Sequence, residues 1–325
     1  MMAGLFEHRL IIVSGKGGVG KTTISATLGL LSARQGLKTL LCEIEQGRRL
    51  AKLFDIPENA GKTPIPLKTD NLHYLFIDPE SALEEYMAIY VRFKALYSPI
   101  INSPLMNYFL KAAPGFKELL TIGKIWWEEQ LIERRQKRHK WDLLIVDAPA
   151  TGHGISFMGV SQATMNMVRV GPIKAQAQRM VEALQDPRRT CLVIVTIPEE
   201  MPVKETKMLA DRSRTGLGIN LGPIIVNAVP QEVISADMVE SYVYIRKSLR
   251  SQRDVSPIVL STLKLVELGM KRHQLALSHI DELKKLLPHE TLLEIPFIPD
   301  WNWDRNTVDK IAELLHQKLQ YLYTK

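Results

Sequence analysis

Short runs of consecutive apolar residues recur along the chain, separated by longer stretches with helical spacing. Leu10–Val13 (LIIV), Thr39–Ile44, Leu72–Ile77, Leu143–Val146, Cys191–Ile197, Pro223–Val226 and Leu292–Ile298 each read as a strand covered on both faces. Between the first two, Thr22–Gln35 carries Ile24, Leu28 and Leu31 at helical intervals, and Gly36 is placed to end that helix. Strand, loop, helix and strand make a βαβ unit with a right-handed crossover. Its repetition predicts an α/β fold, a doubly wound and mostly parallel sheet with helices on both faces. No internal period and no low-complexity tract departs from that plan.

A single domain over residues 1–325 accommodates the pattern, with helical insertions at about 81–138 and 154–184. The first insertion carries Met87, Met106, Phe109, Phe116, Trp126 and Trp127, and the second Met158, Met165, Met167 and Met180. Such residues at helical spacing serve either as core or as an adaptable apolar surface. The charged run Glu133–Lys140 reads as a solvated helix end, with an acidic partner surface as the alternative. In the C-terminal stretch, Val308, Ile311, Leu315, Leu319 and Leu322 share one helical face. That face packs on the sheet or, alternatively, lies on a membrane.

Composition narrows the class. Apolar residues make up 46% and charged residues 24% of the 325, as in ordinary folded proteins. A net charge of +7 favours acidic partners in general and fixes none; nucleic acid is not expected. Cys42 and Cys191 are too few and too isolated for a disulfide framework and read as buried thiols in a reducing compartment. The N-terminus lacks the pattern of a signal peptide, and no apolar run approaches the roughly 20 residues that span a bilayer. A cytoplasmic protein is expected, with peripheral membrane contact left open.

The chemistry is concentrated after the first strand. Gly15-Lys16-Gly17-Gly18-Val19-Gly20-Lys21-Thr22 matches GxxxxGK[ST], between a strand and a helix as the motif requires. Glycines let backbone N–H groups turn toward phosphate oxygens, and the helix that follows, opening with Thr22 and Thr23, directs its positive end at them. Lys21 is expected on the β- and γ-phosphates and the Thr22 hydroxyl on Mg²⁺. In Trp141–His153 (WDLLIVDAPATGH) an apolar strand ends in Asp147, the expected carboxylate holding Mg²⁺ through water. ATP and Mg²⁺ are therefore the expected cofactors.

Further segments carry a resemblance. GKGGVGKTT, with its additional Lys16, resembles the deviant Walker A of the signal-recognition, MinD and nitrogenase-iron-protein (SIMIBI) class. APATGH is similar to the switch segment of the ArsA and tail-anchored-protein-targeting (GET-type) ATPases, with Thr151, Gly152 and His153 matching. Asn71–Glu85, Ala113–Glu118, Asp186–Thr206, Gly222–Asn227 and Pro296–Asp300 resemble other elements of that family, so the likeness covers nearly the whole chain. The resemblance implies a P-loop ATPase that turns ATP into ADP and phosphate. It implies a nucleotide-sandwich dimer, of two copies or with a paralogue, in which Lys16 reaches the partner's nucleotide. It also implies that Asn227 and Pro296 border the adenine.

The chain departs from the family in three places. Where the family has an aspartate that orients the attacking water, this chain reads Glu45-Gln46-Gly47-Arg48-Arg49. Glu45 is the candidate replacement and Glu43 a weaker one; Arg48 and Arg49 are read as solvated, with phosphate contact as the alternative. No CxxC pair is present, so neither a zinc clamp nor an iron–sulfur cluster is expected, and two distant cysteines do not make a soft-metalloid site. Only one phosphate loop is present. The function expected is a dimeric, nucleotide-gated ATPase that handles or targets a hydrophobic client or meets a membrane receptor. The alternatives are a MinD- or ParA-like positioning ATPase on membrane or DNA, and an ATP-dependent ligase or small-molecule kinase.

Overall fold

The computed structural model describes residues 4–44, 47–90, 103, 115–133, 137–150, 158–160, 172–250, 255–300 and 304–323. The apolar runs fall on strands almost residue for residue: β1 (Leu10–Ser14), β2 (Thr39–Glu43), β4 (Leu72–Phe76), β7 (Leu143–Asp147), β8 (Thr190–Thr196), β9 (Leu221–Val229) and β10 (Leu292–Pro296). With the two-residue β3 (Ile65–Pro66) they form an eight-stranded sheet in the order β10-β9-β8-β1-β7-β2-β4-β3. Every neighbouring pair is parallel except β3 with β4. A separate hairpin joins β5 (Ile132–Glu133) to β6 (Arg138–His139), so part of the basic run read as a helix end lies at a hairpin.

Alternate residues of each strand serve opposite faces. Ile11, Val13, Leu41, Ile145, Val193 and Ile225 face one layer, which contains α1 (Lys21–Arg34) and the C-terminal α9 (Arg305–Tyr323). Leu10, Ile12, Leu40, Leu144, Val146 and Ile194 face the other. That layer is built by α4 (Phe116–Gln130), α5 (Pro172–Gln185), α6 (Glu200–Arg212) and the end of α8 (Pro257–Leu286). Helix α1 buries residues on nearly all sides because it lies between the sheet and α9. The apolar face of α9 is buried there too: Val308, Ile311, Leu315 and Leu319 belong to this core. The C-terminal helix therefore packs on the sheet, and its apolar face is not free to lie on a membrane.

The described part of the first insertion contains α3 (Pro79–Tyr90) and α4. Helix α4 is fastened to the sheet by charge. Glu129 accepts hydrogen bonds from Arg9 at 2.7 Å and Arg189 at 2.5 Å. Burial pushes the Glu129 carboxyl up, but these two guanidiniums outweigh it and hold it below the usual range. Glu128 accepts from the Trp141 indole N–H at 3.0 Å and pairs with Lys124 at 2.9 Å. A third helical excursion, which the sequence pattern did not single out, separates β9 from β10: α7 (Met238–Arg250) and the 30-residue α8.

Candidate functional site

The parallel strands β1, β7, β8, β9 and β10 all end on one side of the sheet, where the connecting loops gather, the usual ligand edge of such sheets. The loop after β1 enters α1 there. Gly15 has φ +149°, and a Cβ on it would lie 2.1 Å from the Val195 carbonyl oxygen. Gly20 caps α1 at φ +94°, and a Cβ on it would lie 2.3 Å from Asn227 Nδ2. Glycine is required at both for conformation and for space. Lys21 is buried and its Nζ donates to the Lys16 carbonyl at 3.2 Å, so its ammonium lies over the loop.

Asp147, at the end of β7, is in register with Val13 on one side and Glu43 on the other. It faces the start of α1: Thr22 Oγ1 donates to Oδ2 at 2.7 Å and Ser25 Oγ to Oδ1 at 3.2 Å. Burial raises the Asp147 carboxyl to about 6, against the opposing pull of Thr22, Lys21 and Ser25. A hydroxyl beside a buried, incompletely compensated carboxylate is a donor set suited to a hard divalent cation. Mg²⁺ generally takes one or two protein oxygens and completes its shell with water and phosphate. Among the described residues no group of three or more His, Cys, Asp or Glu forms a further metal site.

At the other end of the loop, Asn227 donates from Nδ2 to the Val19 carbonyl at 2.9 Å. The next residue, Ala228, takes φ +53°, and the β9–β10 register shifts between Glu294 and Pro296. This bulge turns the strand end toward the phosphate loop. Between them lies a cleft of about 260 Å³ whose walls include Val19, Ile197, Asn227, Pro296, Phe297 and Ile298. Flat apolar walls and one amide with both a donor and an acceptor suit a purine base.

The predicted residues 15–23, Asp147, Asn227 and Pro296 therefore converge along one edge. Lys16 lies there with its Nζ 3.0 Å from Glu205 of the same chain, on α6. Glu45, Thr151, Gly152 and His153 lie outside the described residues. Glu43, the weaker candidate for orienting water, has both oxygens committed. They accept from the Leu50 and Ala51 backbone N–H groups at 2.9 and 3.2 Å, and Tyr74 Oη donates to Oε2 at 2.7 Å. Glu43 thus caps the short helix α2 (Arg49–Leu53), and its negative charge together with burial pushes the Tyr74 hydroxyl up. Arg48, read from the sequence as solvated, is instead half-buried and held by its own chain: it donates to the Ala60 and Pro57 carbonyls and lies over the Phe76 ring at 5.0 Å. Ser25 and Glu205 escaped the sequence reading as site residues. For Ser25 the signal was present, since it lies three residues after Thr22 on the same helical face.

Comparison with known proteins agrees with this geometry. A family model described as anion-transporting ATPase (ArsA ATPase) matches residues 8–172 and 167–254. The chain is 31% identical over 238 residues to ATPase BagA of Mycobacterium tuberculosis, covering 72% of this chain and 69% of that one. It is 23% identical over 346 residues to an ATPase ASNA1 homolog of Plasmodium chabaudi chabaudi, covering 95% and 86%. With a phosphate loop, a strand-end carboxylate and a base-sized cleft along one sheet edge, the chain belongs to the ArsA family of P-loop ATPases and hydrolyses ATP.

Proposed function

We propose that the chain is a Mg²⁺-dependent, nucleotide-gated dimeric switch that shelters a hydrophobic segment of a client protein. The observation that carries this reading is an apolar cleft of about 140 Å³ among α3, α4 and α5, remote from the phosphate loop in sequence. Leu83, Phe116, Leu119, Trp126, Trp127 and Met180 line it, and Trp127 keeps 39% of its surface exposed. A partly open indole such as Trp127 offers a large flat apolar contact to a partner, with buried Met180 behind it.

The nucleotide roles belong to the same proposal. The loop amides and Lys21 hold phosphate, Thr22 and Asp147 hold Mg²⁺ (Asp147 through water), and Asn227 and Pro296 flank the base. Bound Mg²⁺ neutralises charge that develops on the phosphates. Lys16 leaves Glu205 and reaches the nucleotide of the second subunit, and Glu45 orients the attacking water. Thr151, Gly152 and His153 form the switch that relays the state of the nucleotide. Partners are a second copy or a paralogue, and a hydrophobic helix or membrane receptor; zinc and iron–sulfur clusters have no part in this reading.

The test is capture of a fluorescent apolar helix of about 20 residues, long enough to span a bilayer. Capture should require ATP and Mg²⁺ and be lost in Lys21→Ala, which also abolishes turnover. Equal capture in every nucleotide state would remove the gating, and no capture in any state would remove the client and leave an ATPase of another purpose.

A further inference from the structure

Helix α8 is about 45 Å long at 1.5 Å per residue, and only its C-terminal part meets the core. Ala276, Ile280 and Leu283 are buried, whereas no residue of 257–275 is, and no described side chain of α7 is. Ile258 and Leu265 lie in line with Ala276 and Leu283, at steps of 7, 11 and 7 residues that return to one side of a helix. The line of α8 that docks on the sheet is interrupted by Gly269 and Arg272 and turns apolar again at Leu265 and Ile258, past the body. There it stands in solvent: Ile258 is 75% and Leu265 68% exposed.

Helix α7 does not cover this stripe. Its Tyr242 hydroxyl donates to the Leu263 carbonyl at 3.0 Å, and its Arg246 pairs with Glu267 at 2.7 Å. Both contacts are on the other side of α8. Tyr244 on α7 is itself 73% exposed. The start of α8 is apolar in several directions, since Ile258, Val259 and Leu260 are consecutive and all exposed. Successive helical residues point 100° apart, so a partner helix packed along one side would leave part of this cluster in water, whereas a helix end that dips into a lipid interface would cover all three.

Charge selects the kind of surface. Residues 238–275 hold seven basic and three acidic residues, a net +4 out of the +7 of the whole chain. Lys247 and Lys264 form no ion pair among the described residues. An apolar helix end rimmed by cations matches the boundary between anionic headgroups and acyl chains, and repels a second copy of itself.

From this geometry we infer that α7 and the first half of α8 dock the protein on an anionic lipid bilayer. The inference is independent of the client reading, since it uses neither the cleft on α3–α5 nor the nucleotide. Because the apolar face of α9 is buried, the membrane contact considered for the C-terminus moves to α8.

The experiment is co-sedimentation of the full chain with vesicles of phosphatidylcholine alone, or mixed with phosphatidylglycerol. Binding is expected to the mixed vesicles, to weaken with added salt, and to fall at least tenfold in the double variant Ile258→Ser, Leu260→Ser. Lys264→Gln should weaken it severalfold. Unchanged circular dichroism and ATP turnover show that the variants are folded. No binding to the mixed vesicles, or binding that the variants leave intact, overturns the inference. So does self-association without vesicles that the double variant abolishes, which would mean that a second copy covers the stripe.

Discussion

Replacing Asp147 with asparagine should make the protein more stable while impairing its chemistry. The carboxyl is raised from 3.8 to about 6 because it is buried. Roughly two pH units at 1.36 kcal/mol each amount to about 3 kcal/mol. The sign is the reverse of the usual carboxylate. Between pH 3.8 and about 6 the folded protein keeps a proton that the unfolded chain has released. Stability therefore falls as pH rises through that window, and the full penalty is present above it. Asparagine has no proton to lose, retains an oxygen for the Thr22 hydroxyl, and offers an N–H₂ to Ser25 Oγ. By urea unfolding without nucleotide, the variant should gain on wild type by about 2 kcal/mol between about pH 4.5 and about pH 8. MgATP should reverse the order, since a ligand held by the folded state alone stabilises the form that binds it. A stability difference that is the same at both pH values would refute the raised pKa and the inference of a poised metal carboxylate with it.

Four further outcomes are expected, the first two from the geometry and the last two from the proposed function. Gly15→Ala forces a Cβ against the Val195 carbonyl and should lower stability by at least about 2 kcal/mol and abolish binding of a fluorescent ATP analogue; wild-type stability would contradict the 2.1 Å approach. Glu43→Gln leaves three donors facing one amide and should cost about 1–3 kcal/mol in urea unfolding, and a neutral effect would show that α2 is held by something else. Lys16→Ala should retain ATP binding but lose ATP-driven dimerisation in analytical ultracentrifugation; a dimer that persists would leave Lys16 to its pairing with Glu205. Glu45→Gln should slow hydrolysis with ATP affinity unchanged, and full turnover would move the water-orienting role to another residue.

The parts of the site that were legible in the sequence share one property: their partners are local or follow from strand order. The phosphate loop is read from eight consecutive residues, and Asp147 from the apolar strand it terminates. Strand pairing then brings that strand beside β1. Glu43 could not be read this way. It sits at the end of an apolar run like any strand-terminal acid, and its role depends on Tyr74, placed beside it by the β2–β4 pairing, and on Leu50 and Ala51. The α7–α8 excursion was missed for a related reason. Ile258-Val259-Leu260 has the local pattern of any buried helix, and burial of α8 begins only at Ala276. Periodicity reports which side of a helix is apolar and is silent on whether anything lies opposite. In α9 the same kind of pattern is answered by the sheet and α1.

The two margins of the sheet carry one more consequence. The outer strand on one side, β3, is only two residues long and ends in Pro66, and the outer strand on the other, β10, ends in Pro296. Proline has no N–H to offer a neighbouring strand, and a two-residue strand offers too short a ladder to extend. Crowded copies of the chain therefore find poor footing for strand-by-strand accretion, the route by which exposed sheets grow into fibrils. In the proposed dimer, pairing of the two subunits would then fall to helices and loops, which engage and release more readily than strands.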